Sequence, residues 1–217
     1  MTRARSSAIL MGLAIAALAI QIPVAFLVAP PAANFVAPLT QRIFYYHVPS
    51  AWAAYLAFGV TALACLMTLV GRGARWDRLA VASAESGTLF GSIALATGLV
   101  WASQEFIGYS ALDDPKVITL GVLLASYLAY FVLRAELGDP ERRARVSSVF
   151  GLLALLGVPL SYLASRASIH PDFTRADESL DWRLGVVLLG STIAFTLLYV
   201  ALVALRMRIL KLETEAP

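Results

Sequence analysis

The sequence is poor in charged residues, and this shortage excludes an ordinary soluble domain. Asp, Glu, Lys and Arg make up 14% of the 217 residues, whereas a soluble globular domain carries about 25%. Hydrophobic residues make up 59% and fall into long runs, which is typical of an integral membrane protein. The net charge of +3 does not indicate nucleic-acid binding, since basic residues in membrane proteins usually set orientation.

Cysteine is scarce, and the common catalytic motifs are missing. Cys65 is the only cysteine, so the chain cannot form an intramolecular disulfide or a C-x-x-C thiol relay. We interpret Cys65 as a small buried apolar residue. The sequence has no G-x-S-x-G, H-E-x-x-H or Walker lysine motif. We therefore expect no enzyme, and ATP-driven transport would need an ATPase on another chain.

The apolar runs predict an all-α integral membrane protein, a bundle of six transmembrane helices. A spanning helix needs about 20 mostly apolar residues. We treat residues 1–217 as a single membrane domain, because no repeat or low-complexity tract divides them. The first run is longer than a signal-peptide core, so we interpret it as a retained helix. The predicted spans are about 7–28, 50–70, 79–102, 117–133, 147–165 and 183–205.

Basic residues are shared unevenly between the two sets of segments that connect the spans. One set holds Arg3, Arg5, Arg72, Arg75, Arg78, Arg134, Arg142, Arg143, Arg145, Arg206, Arg208 and Lys211. The other holds Arg42, Lys116, Arg166, Arg175 and Arg183. Because cytoplasmic segments carry the excess of Lys and Arg, we expect both termini to be cytoplasmic in a multi-pass protein of the cell membrane. The loops at about 29–49, 103–116 and 166–182 should then lie outside.

Both histidines fall on the predicted outer side. His47 lies just before the second span, in QRIFYYHVPSAW, and His170 lies in the third outer loop. Two imidazoles on one side of the membrane suit a haem iron, which accepts axial histidine nitrogen. Trp101, Phe106 and Tyr109 are spaced to line an apolar shelf for a flat porphyrin. Polar interfacial anchors and an aromatic belt are the alternative interpretations.

Glu85 is a carboxylate inside the third predicted span. Such residues are rare and usually face the interior of the bundle. Ser83, Ser86 and Thr88 are near it in sequence and offer hydroxyl partners. We interpret Glu85 either as a structural or proton-linked site, or as an acid favoured by the dipole at a helix start.

The segment RIFYYHVPSAW resembles the signature of the haem exporter protein C (CcmC) family of cytochrome c maturation. The family pattern R-I-x-Y-x-H-V-P-x-A precedes the second span, and it is matched here from Arg42 to Ala51, around His47. AESGTLFGSIALATGLVWA is similar to the family's third span and contains Glu85. SIHPDF stands where the family has its second outer histidine, here His170. The resemblance covers nearly the whole chain.

One motif departs from the family pattern. The family carries W-G-x-x-W-x-W-D-x-R-L-T in its middle outer loop. We match Phe106 and Tyr109, which follow Trp101, to tryptophans of this motif. Asp113 is matched to the family aspartate, and the basic residue is displaced to Lys116. The aromatic platform that the resemblance implies is thus only partly kept.

The resemblance implies a haem-handling subunit rather than an enzyme. It would hold haem b at the outer face and deliver it to a membrane-tethered haem chaperone for c-type cytochrome biogenesis. Its partners would be an ABC ATPase subunit, a second permease-like membrane subunit and a small one-span subunit. The implied iron ligands are His47 and His170, and the implied porphyrin contacts are Trp101, Phe106, Tyr109 and Asp113. Two alternatives are a permease-like or structural subunit of such a complex without direct haem binding, and an unrelated small-solute transporter that uses Glu85.

Overall fold

The structure is a computed structural model that describes residues 2–31, 36, 39–168, 170 and 181–215. The described residues form helices, turns and irregular segments, with no β-strand among them. Six helical segments are long and apolar enough to cross a membrane, which confirms the predicted six-helix membrane fold; α5 and α6 together form the fifth. The helices are α1 (Thr2–Pro23), α2 (Phe44–Leu69), α3 (Ala74–Glu105), α4 (Pro115–Glu136), α5 (Pro140–Ala154), α6 (Gly157–Ala164) and α7 (Trp182–Glu215).

An aspartate followed by a proline begins both α4 and α5. The carboxylate of Asp114 accepts a hydrogen bond from the amide of Lys116 at 2.8 Å, and that of Asp139 accepts one from the amide of Arg142 at 2.7 Å. Each carboxylate thereby satisfies an amide that has no partner inside the helix, and the proline sits where its missing N–H costs nothing. The first of these caps also fixes a wall of the cleft described below.

Proline interrupts the first and fifth spans, in agreement with its lack of a backbone donor. Pro23 ends α1, and the chain continues as a π-helical turn over Val24–Val28. The fifth span breaks between α5 and α6, because Pro159 has no N–H to donate to the carbonyl of Leu155. That carbonyl accepts from the amide of Val158 at 2.9 Å instead.

Small residues let α2 and α3 pack closely. A Cβ atom added at Gly87 would lie 2.6 Å from Cε1 of Phe58, and one added at Gly91 would lie 2.8 Å from Cδ2 of Leu124. Phe58 in turn stacks on Tyr127 of α4, with 4.1 Å between the ring centroids. The main core lies between α2, α3, α4, α5 and α7, and α1 packs chiefly against α7.

Several helices begin earlier than predicted, and two of them bear on the site. α2 begins at Phe44 rather than at about residue 50, so His47 lies on the helix and not before it. α3 runs from Ala74 to Glu105, beyond both ends of the predicted span. Hydropathy marks only the apolar centre of a span, whereas backbone hydrogen bonding continues into the polar and aromatic residues on either side.

The remaining sequence predictions fall partly inside and partly outside the described residues. Cys65 is fully buried, as predicted. The loops predicted at 29–49 and 166–182 are described only in part, and Arg175 lies outside the described residues. The cytoplasmic placement of the termini and the treatment of the chain as one membrane domain stay predictions.

Candidate functional site

His47 lies in the second turn of α2 and its ring is held against α3. Its Nδ1 lies 2.9 Å from the carbonyl oxygen of Ala94 and 3.3 Å from the hydroxyl of Thr97. Since a carbonyl only accepts hydrogen bonds, Nδ1 carries the proton in this contact and Nε2 keeps its lone pair. A backbone carbonyl that fixes the tautomer in this way is a common partner of metal-binding histidine.

His170 is placed by a short chain of hydrogen bonds that starts on α4. Its backbone amide donates to the hydroxyl oxygen of Ser168 at 2.9 Å. The Ser168 hydroxyl donates to both carboxylate oxygens of Asp114, at 2.8 and 2.7 Å. These contacts bring the His170 ring to His47, with 5.9 Å between the ring centroids and 39° between the ring planes.

The two imidazoles line one cleft between α2, α3 and α4. The cleft encloses about 640 Å³, open space at its mouth included. Its apolar wall residues include Ala51, Leu95, Ala102, Val117 and Leu120. Tyr55, about two helical turns after His47 on α2, also lines the cleft. Its hydroxyl lies 2.9 Å from that of Ser161. A largely apolar cleft with two convergent imidazoles can hold an apolar ligand that carries a metal ion.

The three predicted aromatic residues also line this cleft. Trp101 is buried, and its ring meets that of Phe106 edge to face, with 5.5 Å between centroids and 77° between planes. Tyr109 is more exposed, at 40%, and its hydroxyl donates to Asp114 at 3.3 Å. The rings therefore form an angled wall rather than a flat shelf, because aromatic pairs favour edge-to-face contact.

Of the two neighbouring aspartates, Asp114 and not Asp113 belongs to the cleft. Asp113 is exposed in the short 3-10 turn before α4, whereas Asp114 is 4% exposed and lines the cleft. Asp113 was expected among the porphyrin contacts, and Asp114 was not. The Asp-Pro start of a helix was a signal for it, and Asp114 also keeps a one-residue spacing to the basic Lys116, as in the family motif D-x-R.

The carboxylate of Asp114 is stabilised in its charged form. Burial alone would raise its pKa, but hydrogen bonds from the Ser168 hydroxyl, the Lys116 and Val117 amides and the Tyr109 hydroxyl lower the pKa below its ordinary value. An ionised Asp114 is the acceptor that the Ser168 hydroxyl needs, so this charge supports the position of the turn that carries His170.

Glu85 does not line this cleft. It forms an ion pair with a residue of α7 instead. Its carboxylate accepts from Nε and Nη2 of Arg206 at 2.6 and 2.9 Å. Ser83, Ser86 and Thr88, which were expected to satisfy it, donate to backbone carbonyl groups instead. Glu85 also lies about three turns inside α3, so its interpretation as an acid at a helix start is wrong. The ion pair supports the structural interpretation.

Six membrane-spanning helices and a cleft with two imidazoles define a multi-pass membrane protein with a candidate ligand cleft where its second span begins and its third span ends. The family model described as Heme exporter protein C matches residues 1–217. The chain therefore belongs to the haem exporter protein C (CcmC) family, as its motifs predicted.

Curated relatives agree with this assignment. The chain is 33% identical over 177 residues to Heme exporter protein C of Bradyrhizobium diazoefficiens, which covers 78% of this chain and 66% of that protein. It is 28% identical over 182 residues to Heme exporter protein C of Escherichia coli K12, with 82% and 74% covered. It is 30% identical over 192 residues to Heme exporter protein C of Rhodobacter capsulatus, with 84% of this chain and 77% of that protein covered.

Proposed function

We propose that this protein holds haem b in the cleft at the outer face and passes it to a membrane-tethered haem chaperone during c-type cytochrome maturation. The observation that carries the proposal is the pair His47 and His170, whose rings lie 5.9 Å apart over one apolar cleft. The family's name, Heme exporter protein C, supports haem as the cargo. The chain acts in this proposal as a scaffold and not as an enzyme.

The spacing of the two rings suits axial ligation of one iron. A metal–imidazole bond is about 2 Å long, so two imidazoles on opposite sides of one metal ion have ring centres roughly 6 Å apart. The Nδ1 contact of His47 leaves Nε2 to bind the metal. Trp101, Phe106 and Tyr109 supply apolar contacts for the porphyrin, and Lys116 at the cleft wall supplies a positive charge for its carboxylates. Asp113 takes no part, and Asp114 acts by holding the turn before His170.

The proposed partners are an ABC ATPase subunit, a second permease-like membrane subunit and a small one-span subunit. The chain has no nucleotide-binding motif, so ATP hydrolysis belongs to another subunit. At the end of the bundle away from the histidines, a groove of about 1,090 Å³, open space at its mouth included, is lined by Arg78, Arg143 and Arg145 among others. We propose that the segments 72–78 and 134–146, which carry these arginines, meet the ATPase or the sister subunit. Charge reversal at Arg142 and Arg143 should then lower recovery of the complex in a pull-down.

The haem proposal is tested by the absorbance spectrum of the protein purified after expression with ample haem. We expect a Soret band that shifts on reduction. His47→Ala and His170→Ala should each lower haem occupancy at least about tenfold and alter the band that remains. Thr68→Ala, at the far end of the same helix as His47, is the matched control and should leave the spectrum unchanged. Full occupancy and an unaltered spectrum in both histidine variants would refute axial ligation, and a protein that never binds haem would favour a permease-like subunit.

A further inference from the structure

Gly98 of α3 lies directly against the His47 ring. A Cβ atom added at Gly98 would lie 2.8 Å from Cε1 and 3.2 Å from Nδ1 of His47, closer than the 3.4–4 Å of ordinary contact. The third neighbour of that position, at 3.8 Å, is His47 Nε2. All three nearest atoms belong to one imidazole, so the space that the glycine leaves open is filled by His47.

The ring has little freedom to move away from Gly98. Its Nδ1 is hydrogen-bonded to the carbonyl of Ala94, one turn earlier on α3, and lies near the Thr97 hydroxyl. That hydroxyl is itself held by the carbonyl of Ile93 at 2.7 Å. A ring pushed outward by an added methyl group would lengthen the Nδ1 bond and turn Nε2 away from its present direction.

Backbone conformation does not explain the glycine. Only Gly71, Gly73 and Gly108 have positive φ among the described glycines, so Gly98 has ordinary helical geometry, for which alanine is the better residue. Close helix packing does not explain it either. At Gly91 on the same helix, an added Cβ would meet Leu124 and Ala54, which are packing residues, whereas at Gly98 its three nearest neighbours are all atoms of the His47 ring.

We propose that Gly98 is a positioning residue for haem binding: the absence of a side chain at this position seats the His47 imidazole so that Nε2 can face the cleft. The inference rests on the proposed function, in which His47 binds the iron. It adds a residue of α3 to the ligand residues on which haem binding would depend.

The first test is haem affinity and the Soret spectrum of Gly98→Ala. We expect affinity to fall on the order of tenfold, as is usual when a group that orients a metal ligand is disturbed, with a changed ligand signature in the haem that remains. Gly121→Ala, where an added Cβ meets nothing within 4 Å, should change neither quantity. Gly91→Ala introduces equal crowding away from the ring, and it should lower thermal stability without changing the ligand signature.

The second test asks whether Gly98 acts through His47. In a His47→Gly background no ring remains to be displaced, so adding Gly98→Ala should cause no further loss of haem affinity. Free imidazole should restore binding to His47→Gly by occupying the vacated space, but it should not restore the double variant, where the added methyl group fills part of that space.

The outcomes separate this inference from the proposed function. If His47→Gly leaves haem binding unchanged, the ligand role fails and this inference fails with it. If His47→Gly weakens binding but Gly98→Ala does not, or if Gly98→Ala causes the same loss in both backgrounds, only the role of Gly98 is overturned. Should Gly98→Ala fail to fold, the double variant decides: recovery of folding when the ring is removed supports the collision with His47, and continued misfolding overturns it.

Discussion

The two ends of this helix bundle are joined by different chemistry. At the cleft end, α2 and α3 meet through an imidazole and a backbone carbonyl, and the turn after α6 meets α4 through Ser168. At the other end, α4 is joined to α3 by a bidentate ion pair between Arg134 and Asp77, at 2.7 and 2.9 Å. α7 is joined to α3 in the same way by Arg206 and Glu85.

The difference shows where a ligand can be accommodated. In each bidentate ion pair, two guanidinium N–H groups and both carboxylate oxygens are used for contacts inside the bundle. The contacts at the cleft end are hydrogen bonds, each of which positions one ring or one turn. The same helix, α3, contributes Asp77 and Glu85 to one end and Ala94 and Gly98 to the other. The ion pairs stabilise the packing of α3 against α4 and α7, at the end of the bundle opposite the cleft.

The largest expected effect is an all-or-none difference in access from outside the cell. In a Cys65→Ala background, a cysteine at Leu112, which is 69% exposed near the cleft, should react with an impermeant thiol reagent in intact cells. A cysteine at Arg142, at the ion-paired end, should react only after the membrane is opened. The reverse labelling pattern would place the cleft in the cytoplasm and contradict the orientation proposed from the basic residues.

Arg134→Ala should reduce stability most among changes at the ion-paired end. It leaves the carboxylate of Asp77 without its partner, and the two side chains are only 13% and 20% exposed. We expect the free energy of unfolding to fall by about 3 kcal/mol, read as a lower melting temperature in detergent. Haem bound per folded molecule should not change. A loss of haem without a loss of stability would show that the two ends are not independent.

Asp114→Asn should loosen the turn that carries His170 by about 2 kcal/mol, because it weakens a hydrogen bond to a charged acceptor. Hydrogen exchange over residues 165–170 of the haem-free protein measures this, and Asp113→Asn at the exposed neighbour is the matched control. Since folding lowers the pKa of Asp114, its stabilisation is present above the unfolded carboxyl pKa, about 3.9, and is lost as pH falls through the lower folded value. Protection that persists below this range, or that is equal in both variants, would argue against the role of Asp114.

Glu85→Gln should have the smallest effect. The pair with Arg206 is bidentate, but its side chains are 35% and 33% exposed, and Arg206 also lies 3.4 Å from Glu213. We expect a loss of about 1 kcal/mol in thermal unfolding and normal haem binding. Loss of transport or haem delivery in a stable Glu85→Gln protein would favour the proton-linked interpretation of this carboxylate instead.

Much of the frame was predictable from the sequence because it depends on local properties. Apolar length alone predicts the six spans, and the missing backbone donors of Pro23 and Pro159 account for the interruption of two of them. The His47 motif also identified a residue of the cleft. These signals lie within one or two helical turns of the residues that they describe.

The contacts between distant residues were not predictable in the same way. Arg206 lies 121 residues from Glu85, and nothing near either residue indicates the pair. Asp114 was missed because its acceptor role depends on Ser168, 54 residues away. The requirement at Gly98 is visible only when the ring of His47 is placed against α3. The sequence thus indicated several residues that line the cleft, but not the groups that hold them in place.

The pairing of α1 with α7 has a consequence for how the protein is made. The first span emerges from the ribosome roughly 160 residues before the last, a delay of about ten to thirty seconds at ordinary rates of synthesis. During this interval α1 has no access to α7, against which it chiefly packs. Only 11% of its span is buried in the finished bundle. Its exposed apolar side chains are therefore compatible with contact with lipid during this interval. The side-chain amide of Gln21 therefore meets its close neighbour, Gly190 of α7, only after α7 has been inserted.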